Sequence, residues 1–287
     1  MKYLLGTASF GLDYGISNEF KQVKRDSALE IIKQALSNGF YGVDSAQSYG
    51  DAHSIISEAL KINGNFHITS KLGKSAFSSK DALILAIESI INDLGIRKLD
   101  VLLIHDFDTL LDYDKRYLRN LLYDIQQLNL VSRIGVSVYS EEEVHHSKTL
   151  VPDLEVFQIP ENICDRRFGN SIKLRDLADS GNRFYARSIF LQGMLLAKPE
   201  KFPILMASFA EQIGDFQDYW SAMGVDPLNA SISYIQSLDW LEGVVVGANS
   251  VEQINQIVEA IRNPGDFSFE KTPRVSCEWL DPRKWIF

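Results

Sequence analysis

The chain has 287 residues, 45% of them hydrophobic and 23% charged, an ordinary globular composition with length enough for one large α/β barrel or two smaller domains. A formal net charge of −9 argues against nucleic acid as the main partner and leaves only a local basic patch to receive an anionic cofactor. Cys164 and Cys277 give no disulfide framework and no zinc-ligand spacing, Met1–Gly6 has no signal-peptide pattern, and no run is apolar for long enough to span a bilayer; together these imply a reducing, cytoplasmic setting without a membrane partner.

In chain order, an apolar strand is predicted over Tyr3–Ala8, followed by helical spacing of Ala28, Ile31, Ile32, Ala35 and Leu36. Strands over Phe40–Ser45 and Phe66–Lys71 come next. Ile84, Ala86, Ile87, Ile90 and Ile91 then mark a helix before a strand over Leu99–His105. Leu118, Leu121, Leu122, Ile125 and Leu128 repeat the helical spacing, and strands follow over Arg133–Val138, Glu155–Ile159 and Arg183–Ser188. Residues 197–240 contain at least two helix-like segments before a last strand over Gly243–Gly247. Strands alternating with helices imply parallel βαβ units, and eight of them predict a closed (β/α)8 TIM barrel. No low-complexity linker divides the chain, so residues 1–287 are read as one domain. Its end, 263–287, is an irregular tail with Pro264, Pro273, Pro282, Trp279 and Trp285, expected to fold back over the barrel.

Four polar residues stand at or just beyond the ends of these strands: Asp44, Tyr49, Lys71 and His105. In a parallel barrel, C-terminal strand ends converge on one face. A phenol, an ammonium, a carboxylate and an imidazole held there can protonate a carbonyl that is receiving hydride. Each has a plainer reading alone: a packed Tyr49, a solvated Lys71, an Asp44 that caps a helix. His105 with Asp106, Asp108 and Asp44 also allows a metal-dependent barrel hydrolase, although no second strand-end His supplies further ligands. His145 and His146 follow three glutamates and read as solvated, while His53 and His67 read as structural.

The fragments Gly42-Val43-Asp44-Ser45-Ala46 with Tyr49-Gly50, Thr69-Ser70-Lys71, Leu103-Ile104-His105, Gly135-Val136-Ser137, Gln158-Ile159-Pro160-Glu161-Asn162 with Asp165-Arg166-Arg167, and Val246-Gly247-Ala248 occur in one order over nearly the whole chain. In that order and spacing the chain resembles the aldo-keto reductases, in particular a bacterial branch. The resemblance implies a (β/α)8 barrel that binds NADPH or NADH in extended form without a Rossmann fingerprint, and no G-x-G-x-x-G follows a strand here. It implies that Tyr49 is the general acid, that Asp44 orients Lys71, and that His105 binds the substrate oxygen. Lys71 is then expected to acidify Tyr49: one charge at about 4 Å in an effective dielectric near 20 is worth roughly 4 kcal/mol, or at most two or three pKa units.

The same resemblance places Gly6 and Thr7 near the nicotinamide ribose and pyrophosphate, and Ser137 and Gln158 on the carboxamide, with Val138 where the family usually has Asn. Arg187 falls where an aromatic residue usually stacks on nicotinamide, in one stretch with Ser188 and Gln192; a guanidinium plane can also stack. Gly247, Asn249 and Ser250 open the last helix, where backbone N–H groups receive phosphate. Gln253 falls at the basic position for the 2′-phosphate and Ile257 at the adenine-binding Asn. NADPH is thus favoured by family, and NADH is left open by Gln253 and Ile257. The stretch Arg187–Gly193 and the turn Tyr14-Gly15-Ile16 resemble members associated with sugar metabolism, which implies a small-molecule carbonyl substrate of the sugar or sugar-derived class. A non-catalytic, cofactor-sensing subunit is the remaining alternative. No metal is expected, and oligomeric state and reaction direction are not read from the sequence.

Overall fold

Short β-branched and apolar runs, each bounded by a turn and followed by an amphipathic helix, build the expected parallel barrel. The computed structural model describes residues 1–14, 22–276 and 279–281; Gly15, Ile16, Cys277, Pro282 and Trp285 lie outside the described residues. The strands are β1 (Lys2–Gly6), β2 (Gly42–Asp44), β3 (His67–Leu72), β4 (Leu99–Ile104), β5 (Val131–Ser137), β6 (Val156–Pro160), β7 (Arg183–Arg187) and β8 (Gly243–Gly247). They pair in sequence order, all parallel, and β8 closes on β1 with Gly6 opposite Gly247.

The described helices are α1 (Ala8–Gly11), α2 (Arg25–Ser37), α3 (Ala52–Asn63), α4 (Lys80–Leu94), α5 (Asp108–Leu111), α6 (Lys115–Gln127), α7 (Glu141–Leu150), α8 (Ile172–Asp179), α9 (Ala207–Ala222), α10 (Pro227–Gln236) and α11 (Val251–Arg262). Their starts follow local capping chemistry. The side chains of Ser79, Asp114, Ser140, Ser171, Asp226 and Ser250 accept from backbone N–H groups in the first turn. Gly95 ends α4 in the left-handed region at φ +68°. Apolar stripes such as Leu118, Leu121, Leu122 and Ile125 of α6 turn onto the sheet and are buried.

The strands separate two cores by their alternation. Leu4, Val101, Leu103, Val156 and Tyr185 form the small cluster inside the barrel, with Val245 against it. Leu5, Val43, Ile68, Leu102, Ile104, Phe157, Phe184 and Val244 face the helices and belong to the larger outer core. The same alternation then dictates what lies at the mouth. Two residues beyond an inward position are again inward, so Gly6 follows Leu4, His105 follows Leu103, Gln158 follows Val156, Arg187 follows Tyr185 and Gly247 follows Val245.

Three departures from the expected segments have local causes. The strand expected to run to Ala8 ends at Gly6, because Thr7 leaves the extended region (φ −111°, ψ 12°) and Ala8 begins a helical turn. β2 is confined to Gly42–Asp44, and β5 begins two residues early, at Val131, where Leu99 provides a register partner. The helices expected in 197–240 are α9 and α10. The described part of the tail packs on α9: Phe267 and Phe269 lie 5.5 and 6.0 Å from Trp220, and Trp279 lies 5.2 Å from Phe209, ring centre to ring centre.

Candidate active site

Asp44 sits at the end of the shortest strand and is the hub of the barrel mouth. Lys71, two residues inward-facing beyond Thr69, donates to Asp44 Oδ1 and, at 3.0 Å, to the Ser45 carbonyl. Gln158 Nε2 donates to Asp44 Oδ2 at 2.7 Å. Thr7 Oγ1 donates to the Asp44 carbonyl at 3.0 Å. The side chains of Lys71 and Asp44 are only 3% and 5% exposed, so the pair is dry. Burial lowers the proton affinity of Lys71, and Asp44 opposes that loss.

Tyr49 comes from the loop between β2 and α3, and two glycines hold that loop. A Cβ at Gly11 would lie 1.8 Å from the Tyr49 carbonyl oxygen, and one at Gly50, where φ is +45°, would lie 2.4 Å from the Gly11 carbonyl oxygen. The backbone of α1 therefore touches the backbone of Tyr49 directly. Tyr49 N–H also donates to the Ala46 carbonyl, and its own carbonyl accepts from Ala52. Its ring centre is 5.6 Å from Lys71 Nζ and 6.2 Å from the His105 ring, edge to face.

The acidification of Tyr49 expected from Lys71 is opposed at this site. Burial, and after it the Asp44 carboxylate, push the phenol above its ordinary value, and Arg187 is the cation that partly opposes them. Asp44, in contact with Lys71, sets a negative charge beside the positive one and opposes its pull on the phenol. At neutral pH Tyr49 is a protonated phenol. Burial, followed by the Lys71 charge, lowers the proton affinity of His105, which is then a neutral imidazole.

These groups line one cleft of about 590 Å³, within the range of small-molecule and cofactor sites. The structure brings every residue named from the sequence as catalytic to it. Gly6, Thr7, Ser137, Gln158, Arg187, Ser188, Gln192, Gly247, Asn249 and Gln253 line it too. Ser250 is not on the wall; it caps α11 by accepting from Gln253 N–H at 3.1 Å. A side chain at Gly247 would meet nothing within 4 Å, so the rim is open above the β1–β8 pair. Gln253 Oε1 accepts from Asn249 N–H at 2.8 Å and so closes its own helix start.

Arg187 does not stand alone in the cleft. Its guanidinium lies 4.2 Å from the centre of the Tyr139 ring, and its hydrogen bonds to the Val138 carbonyl and Ser188 Oγ are both long, at 3.4 Å. The loop after it is strained: Ser188, Leu191 and Gln192 have φ of +58°, +48° and +56°. Such residues cost of order 1 kcal/mol or more each and cluster at functional sites.

Sequence reasoning missed Gly11, Tyr139 and Gln256, of which the last two line the cleft, as does Tyr14 from the turn noted above. Tyr139 was within reach, one position past the strand that ends in Ser137-Val138; nothing local marks the others. His53 and His67 do have partners, Ser70 Oγ at 3.0 Å and Thr69 Oγ1 at 3.2 Å. The hydrolase alternative lacks a ligand set: among the described residues no three His, Cys, Asp or Glu side chains converge, and Asp44 is committed to Lys71 and Gln158.

A closed (β/α)8 barrel with polar groups gathered at the C-terminal mouth defines a barrel enzyme. The model of the aldo/keto reductase family matches residues 3–270, and the chain belongs to that family, which makes it an oxidoreductase. No curated protein matches the chain. Among solved structures it is similar to an aldo-keto reductase from Bacillus halodurans in its holo form, at 16% identity and a TM-score of 0.73, covering 92% of this chain and 88% of that one. It is also similar to a glycerol dehydrogenase from Gluconobacter oxydans, at 19% identity and a TM-score of 0.67, covering 92% and 87%. At such identities these structures speak for the fold. No described helix is long and apolar enough to cross a membrane.

Proposed function

We propose that the protein reduces an aldehyde or ketone to an alcohol at the cost of NAD(P)H, with Tyr49 as the proton donor. One observation carries this: a phenol kept protonated by burial stands on a glycine-locked loop beside a neutral imidazole and a dry Asp44–Lys71 pair. A general acid must hold its proton until charge develops on its partner. Tyr49 Oη would give its proton to the carbonyl oxygen, which becomes a stronger base than phenolate once hydride has arrived. His105 would hold that oxygen by a hydrogen bond from its neutral ring and so fix its position. The ammonium of Lys71 and the guanidinium of Arg187 would then face the phenolate that remains.

The residues present fit a dinucleotide. Gly6 and Gly247 pair in register at the rim, Gly247 leaves open space above it, and the N-terminus of α11 faces the cleft through Asn249 and Gln253. The Ser137 hydroxyl has no hydrogen-bond partner among the described residues and would be offered to a carboxamide. Reduced nicotinamide supplies the hydride when bound. Gln253 carries no charge, so a 2′-phosphate gains no ion pair there, and NADH would serve alongside NADPH. Polyhydroxylated carbonyls of the sugar class suit a cleft walled by Tyr14, Tyr139, Gln192 and Gln256.

Tyr49→Phe tests the assignment. It should bind NADPH like the parent, followed by quenching of tryptophan fluorescence, and lose about 100-fold or more in kcat on a panel of aldehydes and sugars. A kcat within about twofold of the parent would remove Tyr49 from proton donation.

A further inference from the structure

We infer that Arg187 is an anchor for an anionic group, a carboxylate or a phosphate, carried by the carbonyl substrate. The inference rests on the reductase reading above and names the substrate class within it. Arg187 ends β7 at an inward position and lines the cleft together with Lys71 and Gln158. Its charge reaches the whole reaction chamber, since it acts on Tyr14, Tyr49, Lys71 and His105 alike.

The two cations of the cleft are in different states. Lys71 is paired with Asp44 at contact distance. Arg187 has no carboxylate within ion-pair distance among the described residues, although it is half-buried. Its two hydrogen bonds, both 3.4 Å, go to a carbonyl and a hydroxyl, so a fork of five donors is largely unspent. A partly desolvated guanidinium without a counter-charge is unfavourable, and an anion that presents two oxygens to the fork offsets that cost.

The role expected from the sequence, stacking on nicotinamide, uses a face of the guanidinium. Tyr139 already covers a face, at 4.2 Å. That contact holds one side of the group, and its N–H donors, engaged only at 3.4 Å, remain free to bind. Planar, bidentate recognition is what distinguishes arginine from lysine. Selectivity follows: in a chain of net charge −9, an anionic substrate is drawn only to a site with a free positive charge.

The test pairs charged and neutral aldehydes of matched size. Succinic semialdehyde is set against butanal, and glyceraldehyde 3-phosphate against glyceraldehyde, with the full-length protein and NADPH. For the parent, KM should be at least about tenfold lower for the anionic member of one pair, and which pair responds tells carboxylate from phosphate. Arg187→Gln should bring that KM ratio to within about threefold of one, and Arg187→Lys, which keeps the charge but not the fork, should restore only part of it. A parent without preference for either anion overturns the inference. So does an Arg187→Gln variant that keeps the ratio while its Kd for NADPH rises tenfold, because the guanidinium then serves the cofactor. Calorimetric titration of succinate and inorganic phosphate into the protein is read independently of turnover. If the parent reduces no aldehyde, the reductase reading fails; the anchor stands if one anion binds and Arg187→Gln abolishes it, and falls if neither binds.

Discussion

Asp44→Asn removes the charge on which the barrel mouth is organised. The Lys71 and Asp44 side chains are 3% and 5% exposed, and Asp44 is the one carboxylate in ion-pair contact with Lys71 among the described residues. Removing one partner of a buried pair costs about 3–5 kcal/mol, because the other charge is stranded. Here the lower end applies. The Ser45 carbonyl still accepts from Nζ at 3.0 Å, Asn keeps an acceptor oxygen, and Lys71, whose proton affinity burial already lowers, sheds its proton when unpaired. About 3 kcal/mol, at roughly 2–4 °C per kcal/mol for a chain of about this size, lowers Tm by about 6–12 °C at pH 7. The pH dependence has a definite sign. The folded-state pKa of Lys71 lies below its unfolded value near 10.4, so between the two the unfolded chain binds more protons and stability rises with pH. Without Asp44 the folded value falls further and the window widens downward, with a limiting slope of about 1.4 kcal/mol per pH unit. Thermal unfolding followed by circular dichroism from pH 7 to 9.5 reads both effects. A variant that melts within about 2 °C of the parent at pH 7, with no steeper rise toward pH 9.5, would refute the dry-pair reasoning.

Two further perturbations probe the supports of the site. Gly11→Ala drives a methyl against the Tyr49 carbonyl, 1.8 Å away, and the Asp51 nitrogen, 2.9 Å away, so the Tyr49 loop must shift. A displacement near 1 Å costs about 100-fold in rate, and kcat should fall far more than NADPH binding does; unchanged kcat in steady-state assays would show that the loop has slack. Glu161 is fully buried at the end of β6, accepts from the Tyr234 hydroxyl and from Phe168 and Gly169 N–H, and burial pushes its pKa up to about 8. Its unfolded value is near 4.3, so the folded chain binds the extra proton between these values and loses stability as pH rises through that window. Glu161→Gln resembles the protonated form, and its Tm relative to the parent should be several degrees more favourable at pH 8 than at pH 5; parallel Tm curves would contradict the burial argument.

The strand order, the closed barrel and the inward set at the mouth were legible because each rests on a local regularity. Apolar runs such as Val101–Ile104 declare strands, helical spacing such as Leu118–Ile125 declares the layer outside, and a period of two carries Leu103 to His105 and Tyr185 to Arg187 without reference to any other segment. The family motifs sit on that frame, and Asp44, Tyr49, Lys71 and His105, named from them, line one cleft. Ser250 shows what such reading omits: the resemblance gave it to the cofactor, and its side chain also caps a helix.

What each group does was decided in three dimensions. A sequence shows that a lysine and a tyrosine share a mouth; it does not show that Asp44, 27 positions from the lysine, lies against it and opposes its effect on the phenol. Nor does it show that Arg187 rests on Tyr139, that Gln253 closes its own helix, or that Gly11 must be small because Tyr49 passes over it. Periodicity acts between neighbours in the chain, so one sequence suffices to read it. Charge and desolvation act through space, over a few ångströms, between segments that only the closed barrel brings together.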